Sequence, residues 1–210
     1  MWQLMPSRNV LKLDLAESYY HVYARGNSRQ EIFLKEDDYL HFLNVFRRYL
    51  CDEEVKNSAG IPYEKLGDSL EVLCYCLMPN HFHLLLYQQE EGAMQRLMRG
   101  VMTGYSRYFN TKYKRSGSLF ESRYKAALIS DQKYLEHITR YIHLNPKSWR
   151  NYPYSSIGLY LGGQGADWVK PERILSLFDS SKQYEAFVSD YEKAQRELEV
   201  IKHQLACDEY

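Results

Sequence analysis

Two histidines separated by one residue stand in the segment Pro79-Asn80-His81-Phe82-His83. On a strand, residues two apart point to the same side. His81 and His83 can therefore present two imidazoles to one metal ion while Phe82 turns toward the core. The H-x-H spacing is weak by itself, because unrelated histidines fall into it easily. Its partner lies further along, in Tyr134-Leu-Glu-His-Ile-Thr-Arg-Tyr-Ile-His-Leu-Asn-Pro146. On a helix, i and i+4 share a face, which aligns His137, Tyr141 and Asn145. Asn145 precedes a proline, and this loosens the last step of the alignment.

These residue types suit phosphodiester transfer. A hard divalent ion, Mg2+ or Mn2+, polarises a phosphate oxygen and stabilises charge on the leaving oxygen. A tyrosine hydroxyl, with an unperturbed pKa of about 10, needs such a field or a nearby cation to become nucleophilic. Two histidine nitrogens and one amide oxygen leave open positions for phosphate oxygens. Imidazole draws the choice of ion toward Mn2+ or later metals, while oxygen donors favour Mg2+. If Asn145 turned away from the histidines, His137 would be the replacement ligand.

The formal net charge is zero, but the charges are unevenly spread. Arg96, Arg99, Arg107, Lys112, Lys114, Arg115, Arg123 and Lys125 face a single acid, Glu121, within the same stretch. Such a concentration suits a polyanion-binding face, or else a solvated helix surface. Tyr105, Tyr108, Phe109, Tyr113, Phe120 and Tyr124 interleave with these bases. Single-stranded bases stack on such rings, although aromatics at helical spacing also build cores. From Pro171 onward acids outnumber bases. No run of about 20 apolar residues suggests a membrane span, and no secretory signal is visible. The four cysteines have no zinc-like spacing, so a reduced, cytoplasmic protein is expected. Cys74 and Cys76 read as core, and His21 as packed or hydrogen-bonded within a sheet.

Periodicity supplies the elements that must position these groups. Residues 18–26 read as a strand, 36–50 as a helix, 52–68 as a loop, and 70–78 and 82–88 as two strands joined tightly into a hairpin. A long helix over 91–113, a short strand over 125–130 and a helix from Asp131 to near Pro146 follow. The first six form the β-α-β-β-α-β order of an α+β, ferredoxin-like antiparallel sheet with helices on one face. After Pro153, glycines at 158, 162, 163 and 165 suggest a loop, followed by an amphipathic helix over 182–205. This divides the chain into a domain over residues 1–165 and a C-terminal helical extension over 166–210.

The segments YHVYARGNSRQEIF, CLMPNHFHLLL, GSLFESRYKA, LEHITRYIHLNP and YPYSSIGLYLGG together resemble the REP-associated tyrosine transposases, a group of single-tyrosine HUH transposases. The resemblance covers about residues 19–163. It implies His81, His83 and Asn145 as metal ligands and Tyr141 as nucleophile, with a 5′-phosphotyrosine intermediate and a free 3′-hydroxyl. It also implies single-stranded DNA, around hairpins of repeated extragenic palindromes, as substrate, and a monomer or a homodimer as the assembly. Two departures stand out. Glu121 occupies a position where the family commonly has Gln, and His143 one where it often has Glu. Arg25 and Asn27 are candidate phosphate contacts, and Arg140 a candidate neighbour of the nucleophile. Two other readings remain: a catalytically silent single-stranded DNA hairpin binder on the same fold, and an HUH replication or conjugation initiator. The initiators more often carry a longer histidine motif and further domains.

Overall fold

The computed structural model describes residues 14–190. Four strands, β1 (Ser18–Arg25), β2 (Leu70–Met78), β3 (His81–Gln88) and β4 (Lys125–Ile129), form one antiparallel sheet in the order β2-β3-β1-β4. With α1 (Glu36–Leu50) and α2 (Ala93–Lys112) between them, this is the expected ferredoxin-like arrangement. The tight β2–β3 hairpin forms at Pro79-Asn80, and residues 52–68 make no regular helix or strand.

Alternation along β1 decides which side of the sheet each residue serves. Tyr20, Val22 and Ala24 are buried with Phe82, Leu84 and Leu86 of β3 against α1 and α2. The helix α2 contributes Met94, Leu97, Val101, Tyr105 and Phe109, the i, i+3/i+4 stripe expected of a sheet-covering helix. The opposite face carries Leu73, Cys74, Cys76 and Leu85, packed beneath α3 (Gln132–His143). Asp131 caps α3 by accepting a hydrogen bond from the Tyr134 amide.

Beyond α3, the glycine-bearing stretch contains one helical turn that periodicity did not suggest, α4 (Ile157–Tyr160), and a second follows at α5 (Glu172–Leu175). Each is too short to carry a periodic signal; buried Ile157, Tyr160 and Ile174 hold them on the second face. The expected C-terminal helix over 182–205 is present in its first part as α6 (Ser181–Ser189), which ends at Asp190, whose backbone is not helical; residues 191–205 lie outside the described residues. Val169 pairs with Val72, so residues beyond 165 also cover the β2 edge. Among the described residues, no helix is long and apolar enough to cross a membrane.

Candidate active site

The β2–β3 turn is held from below by the segment after β1. Ile32 and Phe33 amides donate to the Pro79 carbonyl (2.8 and 3.0 Å), and the Gly26 amide to the Asn80 carbonyl (2.8 Å). A Cβ on Gly26 would lie 2.1 Å from the Gln30 carbonyl oxygen, so this approach requires glycine. Arg25 then pairs with His81, and Tyr23 with His83. By the alternation of both strands, His21, Tyr23, Arg25, His81 and His83 share the face covered by α3.

His81 has a defined polarity. The Asn80 side-chain nitrogen donates to the Arg29 carbonyl (3.2 Å), which turns its amide oxygen toward His81 Nδ1 at 2.7 Å. On the other side, His81 Nε2 lies 3.3 Å from Asn145 Oδ1. The Asn145 amide is oriented in turn, because its Nδ2 donates to the Tyr141 carbonyl (3.2 Å). A neutral imidazole has one proton, and the shorter contact to Asn80 claims it. His81 Nε2 and Asn145 Oδ1 are thus two acceptors facing each other, an arrangement that a cation between them would satisfy.

His83 is almost fully buried, and its Nδ1 lies 3.0 Å from Nε2 of the wholly buried His21. Burial holds both imidazoles neutral. It drives the His21 pKa down to about 3; His83 is held well below its ordinary value by burial first, then by His21, His81 and Arg25. Burial also lowers His81, opposed by the Asn145 amide oxygen, which would accept a proton on Nε2, and reinforced by Arg25. Neutral imidazoles are the metal-ligating form.

Tyr141 stands edge-on to His83, with ring centroids 5.3 Å apart at 77°. Burial raises its hydroxyl pKa, while a hydrogen bond with Asn145 and the charge of Arg25 lower it. Leu144 caps α3, so Asn145 sits just past the helix end; its hydrogen bond to the Tyr141 carbonyl keeps the two together. His137 goes elsewhere. Its Nδ1 lies 2.8 Å from an Arg140 nitrogen and its ring 5.8 Å from Phe187 of α6.

The basic stretch does not gather on one face. Arg99 and Arg107 are exposed on α2, across the sheet from Tyr141. Arg96, also on α2, pairs with Glu64 and Glu90 (3.5 and 3.8 Å). Lys112 is committed to the fold: its Nζ lies 2.7 Å from the buried Asp38 carboxylate, which also accepts from the Leu34 and Lys35 amides and the Tyr113 hydroxyl. Arg115 reaches the Gln30 side chain (3.1 Å), and Lys114 and Arg123 are exposed in the α2–β4 connection. That connection runs along the end of β1 through Asn27 N to Leu119 O and Glu121 N to Arg25 O (2.9 and 3.0 Å). Lys125 alone of the eight is on the Tyr141 side within the sheet: its ammonium lies 5.7 Å from the centre of the Tyr23 ring, itself 5.8 Å from that of His83.

Asn80 and His21 contact the histidine pair and join the candidate site, although spacing did not single them out. For Asn80 the signal was its place immediately before the first histidine. For His21 it was strand parity, readable only once β1 is registered against β3. Among the described residues, no three His, Cys, Asp or Glu side chains are placed to hold a metal ion.

A family model described as "Transposase IS200 like" matches residues 14–145. None of the curated proteins compared with the chain matches it. Among solved structures, the REP-associated tyrosine transposase bound to a REP hairpin is 12% identical, with 76% of this chain and 92% of that one covered and a TM-score of 0.49. A protein of Deinococcus radiodurans R1 described as a transposase is 17% identical, over 61% and 90% of the two chains, with a TM-score of 0.39. The family match spans the sheet, the histidine pair, Tyr141 and Asn145, and on it the chain belongs to the IS200-like transposases.

Proposed function

We propose that this chain cleaves and rejoins single-stranded DNA through a covalent bond to Tyr141, at hairpins of repetitive extragenic palindromes as its motif resemblance implies. The observation that carries the proposal is the pair of acceptors, His81 Nε2 and Asn145 Oδ1, facing each other 3.3 Å apart beside the nucleophile's helix. With His83 they offer two nitrogens and an amide oxygen, which fits a divalent cation such as Mn2+ or Mg2+. When bound, such an ion supplies positive charge to the non-bridging phosphate oxygens.

The chain's own residues do the rest. Tyr141 loses its hydroxyl proton to solvent and attacks phosphorus, forming an O–P bond to the phosphate that stays on the 5′ end of the downstream strand. The P–O3′ bond breaks, and the 3′-oxygen takes up a proton from solvent. One phosphodiester replaces another, so rejoining needs no nucleotide cofactor. Arg25, which lies opposite His81 on the same face, adds charge that favours the tyrosinate. Lys125 and Tyr23 extend the face toward the β4 edge and suit a phosphate and a base of the bound strand.

The test is covalent capture of labelled hairpin DNA in Mg2+ or Mn2+. Wild type should give an adduct that survives denaturation, and Tyr141→Phe should give none while still binding the hairpin. An adduct on the Phe variant would remove Tyr141 from the role. The silent-binder reading has one observation in its favour, the raised pKa of the buried Tyr141 hydroxyl. Hairpin binding by wild type without any adduct would select it.

A further inference from the structure

Resting on the metal reading above, we infer that His21 is a positioning residue that accepts the Nδ1 proton of His83 and so turns His83 Nε2 into the free ligand nitrogen. The two rings are nearly parallel (19°), with His21 Nε2 3.0 Å from His83 Nδ1. A neutral imidazole has one donor and one acceptor nitrogen. This contact therefore has two arrangements. If His21 donates, the His83 proton must sit on Nε2, and that nitrogen cannot bind an ion. If His83 donates, Nε2 presents a lone pair. The second arrangement matches His81, whose Nδ1 is spoken for by Asn80 and whose Nε2 faces Asn145. Each histidine of the pair then has its inner nitrogen tied by a different neighbour, and each offers Nε2.

The cost at His21 favours a role of this kind over packing. Its other nitrogen, Nδ1, is buried and has no hydrogen-bond partner, in a side chain with no solvent exposure. A buried polar atom left unpaired costs about 1–3 kcal/mol. A position that only filled space between β1 and α3 would lose nothing by carrying an aromatic hydrocarbon. Partners that orient a ligand through its second ring nitrogen are a general feature of metal-binding histidines.

Mn2+ binding followed by the electron paramagnetic resonance signal of the free ion gives a readout independent of cleavage. Wild type should bind, His83→Ala should bind far more weakly, and His21→Phe should lose about 10–100-fold in affinity. His21→Gln, whose amide oxygen can accept the same proton, should recover most of that loss. Nitrogen-15 spectra of Mg2+-saturated wild type should place the His83 proton on Nδ1, a measurement that stands even if His21→Phe does not fold. Wild-type affinity in His21→Phe, or a His83 proton found on Nε2, overturns the inference alone. Equal Mn2+ affinity in wild type and His83→Ala overturns the metal reading and this inference with it.

Discussion

A hydrogen bond 2.6 Å long joins His143 Nδ1 and the Tyr184 hydroxyl. It ties the helix carrying Tyr141 to α6. On its other side, His143 Nε2 lies 2.9 Å from the Ser156 hydroxyl, which in turn accepts from the Tyr75 amide of β2. Arg140 strengthens the same junction, stacking on Phe187 at 4.3 Å and donating to its carbonyl. The histidine found where Glu is usual in the resembling family is thus a buried link from helix to sheet and to the C-terminal segment.

Tyr184→Phe removes only the hydroxyl of this link and leaves His143 Nδ1 buried without a partner. A stability loss of about 1–3 kcal/mol is expected, or a melting temperature lower by roughly 2–10 °C. Because α3 is loosened, adduct formation should fall more than hairpin affinity. Thermal melts and single-turnover capture check this; equal losses of rate and affinity would show that the link supports the fold without positioning Tyr141.

Asp38 gives a second stability test. Its burial raises the carboxyl pKa, but the hydrogen bonds from Lys112, Tyr113, Leu34 and Lys35 outweigh this and hold it below the ordinary value. Asp38→Ala leaves the Tyr113 hydroxyl and the Leu34 and Lys35 amides without their acceptor and should cost about 1–3 kcal/mol. Lys112→Ala should lower the urea midpoint while leaving the salt dependence of DNA binding unchanged. A flatter salt dependence would mean that Lys112 leaves Asp38 to meet phosphate.

The split of the basic residues between two sides of the sheet separates their effects on DNA. Each phosphate contact on a single strand contributes a slope of about −0.7 in log affinity against log salt. Lys125→Ala should remove about one such contact, whereas Arg99→Ala and Arg107→Ala should leave the slope as it is. The reverse result would put the strand over α1 and α2.

Acid should unfold the metal-free protein early. His21 and His143 both have pKa values lowered by burial to about 3, below the ordinary unfolded value of about 6.5. The folded state therefore binds fewer protons, and its stability is full above about pH 6.5 and falls as pH drops toward 3. At pH 5 each histidine costs on the order of 2 kcal/mol. Urea midpoints at pH 7, 6 and 5 should decline steadily; a flat series would mean that neither imidazole stays buried and neutral.

Much of this was legible from local pattern. Alternation and helical spacing marked all four strands and the three long helices, because each buries a face whose period shows in a short window. The two histidines and the Tyr141–Asn145 pair were legible for the same reason, since each spacing matches its element. What local pattern hid was contact across distance. His21 meets His83 across 62 positions, and Asp38 meets Lys112 and Tyr113 across 74 and 75; neither has a signature in its own neighbourhood. The distribution of the basic stretch was hidden for a related reason: a count of charges along the chain does not say on which side of a sheet each will stand.

The placement of Tyr141 on α3, the last long element to reach the sheet, bears on synthesis. Domains form as the chain leaves the ribosome from its N-terminus. A nascent chain ending before residue 131 has both histidines and the residues that orient them, yet has no tyrosine helix to lay over them. The Tyr141 hydroxyl arrives only when the sheet is ready to receive it, and α6 closes over α3 later still. On the proposed function, the chain would by this order be harmless while half made, and a fragment broken off after β4 would retain the histidine pair without Tyr141.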